Sequence, residues 1–227
     1  MQIDLGEWRN HQQWPVCDCF VAGEINNEVY LWGGLQQVSD LFNPFNVVYN
    51  FNPEKQSWRQ LPVSGDSSPL SMHCAGVVCS DLLYIFGGTM GDSRSNNIHV
   101  FSPSSCDFKL LPAVGARPLP RCGHEGWTHE GKLFFLGGLV GTTDPWSLLT
   151  SNVENDGVFD ESLYQFDPEN NVWTRLTTLG ASPPPRYFFA VAKIEDQVFI
   201  HGGLGTLQRY SIACWLDITL QRYCKTL

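Results

Sequence analysis

The chain has 227 residues, a formal net charge of −9, 13% aromatic residues and only 16% charged residues. That length holds one or two domains with a real core. The acidic balance excludes the basic face by which nucleic-acid binders grip phosphates. No 18-residue apolar span and no N-terminal apolar leader occurs in the sequence, so no membrane partner is expected and the expected compartment is cytosol or nucleus. Gly and Pro contribute 21 and 14 residues, and no long apolar stripe of helical period appears, which points to sheets and turns with little helix. Eight cysteines show no CxxC pair. Cys17, Cys19, Cys74 and Cys79 lie in or near apolar strand patterns, where reduced, buried thiols are expected.

Four apolar runs punctuate the chain, each ended by two glycines: Val29-Tyr30-Leu31-Trp32-Gly33-Gly34, Leu83-Tyr84-Ile85-Phe86-Gly87-Gly88, Leu133-Phe134-Phe135-Leu136-Gly137-Gly138 and Val198-Phe199-Ile200-His201-Gly202-Gly203. Apolar residues without polar alternation predict a short strand buried on both faces. Paired glycines let the backbone take positive φ and approach a neighbour closely. The pairs recur after 54, 50 and 65 residues, in the spacing class of propeller repeats.

Further along each repeat, a large aromatic (Trp58, Phe108, Trp173, Tyr223) stands six residues after a turn former (Asn52, Ser102, Asp167, Asp217). This offset predicts a third strand, a turn and a fourth strand opening on the aromatic. Trp32 and all four of these aromatics are expected in the core. Proline-rich links precede two of the runs: Pro118-Leu119-Pro120-Arg121 with His124, and Pro183-Pro184-Pro185-Arg186 with Phe189. His73 and Cys19 hold the corresponding places in the other two repeats. The predicted architecture is all-β: one domain over residues 1–227, with four-stranded repeats at about 14–65, 66–115, 116–180 and 181–227.

The order R-x-x-H, apolar run, Gly-Gly, turn former, aromatic resembles the kelch repeat, and the resemblance implies a kelch β-propeller. Residues 65–88 and the enlarged third repeat, Leu139 to Glu161, are similar to the kelch-domain-containing substrate receptors of cullin-2 RING ubiquitin ligases. Such propellers usually close with six blades, whereas this chain supplies four repeats. A truncated isoform or incomplete gene model of a six-bladed ring is the expected reading. The family's adaptor-docking helical segment is not found here, although the resemblance implies a cullin-RING ligase adaptor as a partner.

A propeller binds at one channel mouth, where loops from successive blades meet. Four arginines fall in the loops after the glycine pairs or beside the prolines: Arg94, Arg121, Arg186 and Arg209. The resemblance implies that loop arginines of this kind hold the C-terminal carboxylate of a protein ending in glycine. Arg94, in Ser93-Arg94-Ser95, is the closest match. Leu204 stands where the family has Arg. Arg121 and Arg186 also suit a structural role tying neighbouring loops. Trp146, in the acidic insertion Val140 to Glu161, suits a peptide-pocket floor or a solvated loop equally. His73, His124 and His129 lack metal-ligand spacing, and no phosphate loop, nucleophile elbow or carboxylate pair occurs. A non-enzyme without cofactor or metal is expected, binding a protein or C-terminal peptide; a general interaction scaffold for trafficking or the cytoskeleton is the alternative.

Overall fold

The computed structural model describes residues 20–38, 41–44, 46–65, 69, 72–90, 93–140, 158–205 and 213–224. Among them every regular element is a β-strand, and the strands form four successive antiparallel meanders. Blade 1 comprises Val21–Ile25, Glu28–Trp32, Val48–Asn52 and Ser57–Leu61. Blade 2 comprises Ala75–Cys79, Leu82–Phe86, Ile98–Ser102 and Asp107–Leu110. Blade 3 comprises Glu125–His129, Lys132–Leu136, Leu163–Asp167 and Val172–Leu176. Blade 4 comprises Tyr187–Ile194, Gln197–Leu204, Ala213–Asp217 and Arg222–Cys224. The apolar run is the second strand of every blade.

The first strands lie innermost and pack in series, that of blade 1 against blade 2, blade 2 against blade 3, and blade 3 against blade 4. Because both faces of the second strands are apolar, core forms between blades rather than within one. Tyr30, Trp32 and Val48 of blade 1 meet Leu83, Ile85, Phe101 and Phe108 of blade 2. Val77, Tyr84, Phe86 and Ile98 of blade 2 meet Leu133, Phe135, Phe166 and Trp173 of blade 3. Trp127, Phe134 and Leu136 of blade 3 meet Val198, Ile200, Leu216 and Tyr223 of blade 4. The turn formers act as expected: Asn52, Asp167 and Asp217 each accept a backbone N–H from two or three residues ahead.

Phe108, Trp173 and Tyr223 are buried plugs, with Trp173 touching Phe86, Phe135 and Phe166 at centroid distances of 4.8, 5.5 and 4.9 Å. Trp58 corrects the sequence expectation. It is only half-buried against Phe51, because the plug position faces the preceding blade and the described residues place none before blade 1. Cys79 is buried and Cys74 half-buried, and neither they nor Cys106, Cys122 and Cys214 are joined in a disulfide; Cys17 and Cys19 lie outside the described residues.

Each arriving link covers the outer edge of the blade it leads into. Ser64–Gly65 runs parallel to the outermost strand of blade 2, Val114–Gly115 parallel to that of blade 3, and Leu179 bridges to Arg222 in blade 4. The cover removes an unpaired edge. At Gly115 φ is +88°, and a Cβ there would collide with the Trp173 carbonyl oxygen; Ala116 N–H donates to that same oxygen at 2.9 Å. Gly115→Ala should therefore lower the unfolding free energy by about 1–3 kcal/mol. Gly131→Ala, at φ +72° in a hairpin with open space around it, should cost only the strain of positive φ, about 1 kcal/mol. Urea denaturation of both variants measures the difference, and equal losses would contradict the edge-cover role.

Candidate functional site at the glycine-pair mouth

All four glycine pairs close the same end of their blades. The second glycine of one pair donates to the arginine carbonyl of the next link: Gly88 N to Arg121 O and Gly138 N to Arg186 O, both at 2.9 Å. The side chain of that arginine then reaches its own blade. Arg121 Nη1 donates to Gly137 O at 2.9 Å and Arg186 Nη1 to Gly202 O at 2.8 Å, while each Nε donates to the carbonyl two residues back. Each arginine thus clamps two consecutive blades.

Burial fits that role, since Arg121 is 1% and Arg186 3% exposed. Arg121 also pairs with Asp160 at 2.8 Å and lies over the Tyr164 ring, its guanidinium carbon 5.0 Å from the centroid. Burial pushes the Asp160 carboxyl upward, but hydrogen bonds from Ser162 and the charge of Arg121 outweigh it and hold the pKa below its ordinary value. The structure accordingly spends the donors of Arg121 and Arg186 on the scaffold, the structural option that the sequence had left beside ligand binding.

Arg94 is placed differently. It is half-buried in a short two-stranded turn, where Thr89–Met90 pairs with Ser93–Arg94. Its Nε donates to Cys122 Sγ at 3.4 Å. The loop beside it is braced by Arg117, which the sequence reading missed. Arg117 Nη2 donates to Asn97 Oδ1 at 2.7 Å and its Nε to Asn96 O at 3.0 Å. Its position one residue before the Pro118-Leu119-Pro120-Arg121 link was the available signal.

Cys122 belongs to an apolar cluster with Leu139 and Tyr187, against which Phe159, Phe188 and Leu204 pack. Tyr187 contacts Phe159 and Phe188 at 5.4 and 4.6 Å between centroids, and Phe188 contacts His73 at 4.6 Å. The backbone beneath is a relay: Gly123 N donates to His73 O at 2.8 Å, and Phe188 N to Gly123 O at 2.9 Å. His73, Gly123 and Phe188 share left-handed φ values of 54°, 64° and 54°. They are therefore the equivalent residues of three repeats. The sequence had matched His73 to His124 and Phe189, one residue too far along. An aromatic held at such a φ costs about 1–3 kcal/mol and marks a position fixed by its surroundings.

Arg209 and Trp146, together with Glu154 and Asp156 of the insertion, lie outside the described residues. Among the described residues no cluster of three or more His, Cys, Asp or Glu is placed to hold a metal. A cavity of about 190 Å³ lies at the other end of blade 1, lined by Glu28, Asn50, Asn52, Lys55, Ser57 and Arg59. Its carboxylate is already satisfied: Glu28 accepts from Asn52 at 2.7 Å, Asn50 at 3.0 Å and Tyr30 at 3.2 Å.

A stack of inter-blade sheets, each a glycine-hinged meander with an aromatic plug and an arginine clamp, defines a kelch-type β-propeller module. The KLHDC2/KLHL20/DRC7 Kelch-repeats domain model matches residues 19–225, and the chain belongs to that family. It is similar to Kelch domain-containing protein 2 of Homo sapiens, with 25% identity over 201 residues covering 81% of this chain and 49% of that protein. It is similar to Rho GTPase-activating protein gacHH of Dictyostelium discoideum, with 32% identity over 155 residues covering 67% of this chain and 10% of that protein. Beta-scruin of Limulus polyphemus matches at 25% identity over 206 residues, 88% of this chain and 20% of that protein. The chain spans about half the length of the first of these relatives. Kelch propellers of this family are typically protein-interaction modules, and protein binding is the function the family implies.

Imidazoles at this end, His99 and His124 buried and His73 half-buried, give the fold a pH dependence. Burial lowers His73 and His99 to about 4. Burial and the nearby Arg121 charge lower His124 to about 3. Unfolded imidazoles titrate near 6.5, so below that pH the unfolded chain binds more protons and stability drops. Above pH 6.5 the histidines add no slope. Glu125 acts in the opposite sense: burial raises it to about 7 from 4.5, so its contribution is full below pH 4.5 and is lost as pH rises through 7. Three histidines against one glutamate predict a loss on the order of 2–3 kcal/mol per pH unit between pH 6.5 and 4.5. Urea unfolding across that range measures it, and His124→Gln should flatten the slope by about 1 kcal/mol per unit. A level profile would contradict the burial of these rings.

Proposed function

We propose that the glycine-pair mouth binds the C-terminal segment of a protein partner, with Arg94 as its carboxylate anchor. The observation that carries this reading is the position of Arg94: a half-buried guanidinium, braced by its loop and by Cys122, beside the aromatic cluster of Phe159, Tyr187, Phe188 and His73. A guanidinium fork grips a carboxylate through paired charge-assisted hydrogen bonds. An apolar floor beside it accommodates the last residues of a peptide, and a small terminal residue such as glycine brings the carboxylate closest to the ring cluster. Arg121 and Arg186 serve this site as positioning residues, and Arg209 and Trp146, which lie outside the described residues, are proposed as further contacts. The likeness to substrate receptors of cullin-2 RING ligases supports a degron as the bound segment. The reading concerns recognition alone.

Binding is tested with fluorescent peptides ending in glycine, prepared with a free or an amidated C-terminus. The free acid should bind at least tenfold tighter, and Arg94→Ala should remove most of that difference. Equal binding of acid and amide, unchanged by Arg94→Ala, would leave a general kelch interaction scaffold that uses another surface.

A further inference from the structure

The cavity of about 190 Å³ on blade 1 lies on the face turned to blade 2, since Tyr30 on that face packs against Phe101 at 6.1 Å between centroids. Its frame is a polar network that the other blades do not repeat. Strand register sets Asn50 opposite Tyr30 and Arg59 opposite Asn50, with Glu28 two residues before Tyr30. The matching positions are Leu82, Val100 and Lys109 in blade 2, Lys132, Gln165 and Thr174 in blade 3, and Gln197, Trp215 and Cys224 in blade 4. Blade 2 completes the position with Val100, whereas blade 1 places Asn50 there at 0% exposure. A buried amide is unfavourable unless its hydrogen bonds are made, and the fold does not require this one.

The network occupies its own acceptors and leaves donors over. Glu28 accepts from Asn52 at 2.7 Å, Asn50 at 3.0 Å, Tyr30 at 3.2 Å and Arg59 Nη2 at 3.5 Å. The hydrogen bond from Asn52, with those from Asn50 and Tyr30, outweighs burial and holds its pKa below the ordinary value, so the carboxylate is ionised at neutral pH. Asn50 Oδ1 accepts Arg59 Nε at 2.7 Å, which orients the guanidinium. Asn52 Oδ1 accepts the Lys55 backbone N–H at 2.9 Å, which fixes the turn carrying that ammonium. Among the described residues Arg59 Nη1, Lys55 Nζ and the Ser57 hydroxyl meet no acceptor, although all three residues line the cavity.

We propose that this cavity binds a phosphate monoester, whose phosphoryl oxygens take the Arg59 fork, the Lys55 ammonium and the Ser57 hydroxyl. A guanidinium fork and an ammonium point charge are both phosphate ligands, and two cations stand here against one carboxylate whose lone pairs are already taken. The volume is below the about 300–1,000 Å³ of pockets that enclose a drug-sized ligand. The site therefore takes the phosphoryl group and leaves the rest of the ester in solvent. The Arg59 side chain is 64% exposed, so entry is open and affinity falls with added salt. A phosphoserine of a partner protein and a free phosphorylated metabolite both present this group.

The side-chain amide signals of Asn50 and Asn52 in NMR spectra report occupancy. The probes are inorganic phosphate, O-phosphoserine, a phosphoserine peptide with an amidated C-terminus, its unphosphorylated form, and sodium chloride at matched ionic strength. The three phosphate-bearing probes should shift both signals saturably, and the other two should not. Arg59→Ala should weaken binding by about tenfold or more. Asn50→Val, which copies the blade 2 position, should weaken it similarly by releasing the guanidinium, with the urea midpoint unchanged or raised. Should that variant fail to fold, the exposed Arg59→Ala decides alone. A peptide that binds tighter than O-phosphoserine assigns the site to a partner's side chain, and equal binding assigns it to the free ester. Shifts that chloride reproduces, shifts that do not saturate, or binding that survives Arg59→Ala would overturn the proposal. Arg94→Ala should leave phosphate binding intact, which separates this site from the mouth; its loss there would also overturn the proposal.

Discussion

The structure depends on apolar contact between neighbouring blades. Trp173 springs from the outermost strand of blade 3 yet touches Phe86 of blade 2 as closely as it touches Phe166 of its own sheet. Leu83, Ile85, Leu133, Val198 and Ile200 are all at or below 1% exposure, although each lies on a four- or five-stranded sheet that alone would leave one face in water. Fully burying side chains of this size contributes about 1.5–3 kcal/mol each, and that gain exists only when the adjoining blade is in place. Stability is accordingly a property of junctions, as in other repeat proteins. Blades 2 and 3 own two junctions each, and among the described residues blades 1 and 4 own one.

The arginine clamps extend the same dependence to the mouth. A buried guanidinium is tolerable only when its donors are used, and Arg121 uses Nε, Nη1 and Nη2 on Leu119, Gly137 and Asp160. Its backbone carbonyl meanwhile receives Gly88 of the previous blade. The clamps fix where each loop emerges. Arg94 gains its placement from them, since Ser95 O accepts the Arg121 N–H at 3.0 Å. A loop held at both ends keeps a guanidinium in one orientation, which lowers the ordering cost of gripping a ligand.

Much of this architecture was legible in the residues. The six-residue offset from Asn52, Ser102, Asp167 and Asp217 to a large aromatic located the outer hairpin of every blade, and the glycine pairs located the second strands. Three things were not legible, each for a physical reason. Trp58 carries the same signature as Trp173, and only the absence of a preceding sheet among the described residues separates them; burial here belongs to a neighbour, not to the local sequence. The edge-covering glycines Gly65, Gly115 and Gly180 sit in irregular links where no alternation betrays a strand, although two of them stand 43 residues before their aromatics. Spacing alone could not tell the arginines apart: Arg94, Arg121 and Arg186 share loop context, yet Arg121 and Arg186 donate to carbonyls of the glycine pairs whereas Arg94 donates to Cys122 Sγ.

Consecutive blades are locked at the glycine pairs by hydrogen bonds to the next link. Native-state amide hydrogen exchange at Gly88 and Gly138 tests it most directly. Both amides should exchange only through opening of a whole inter-blade junction, as slowly as those of Ile85 and Phe135 in the neighbouring strands. Exchange of those two glycines at the rate of an unprotected loop, while the strands stay protected, would contradict it.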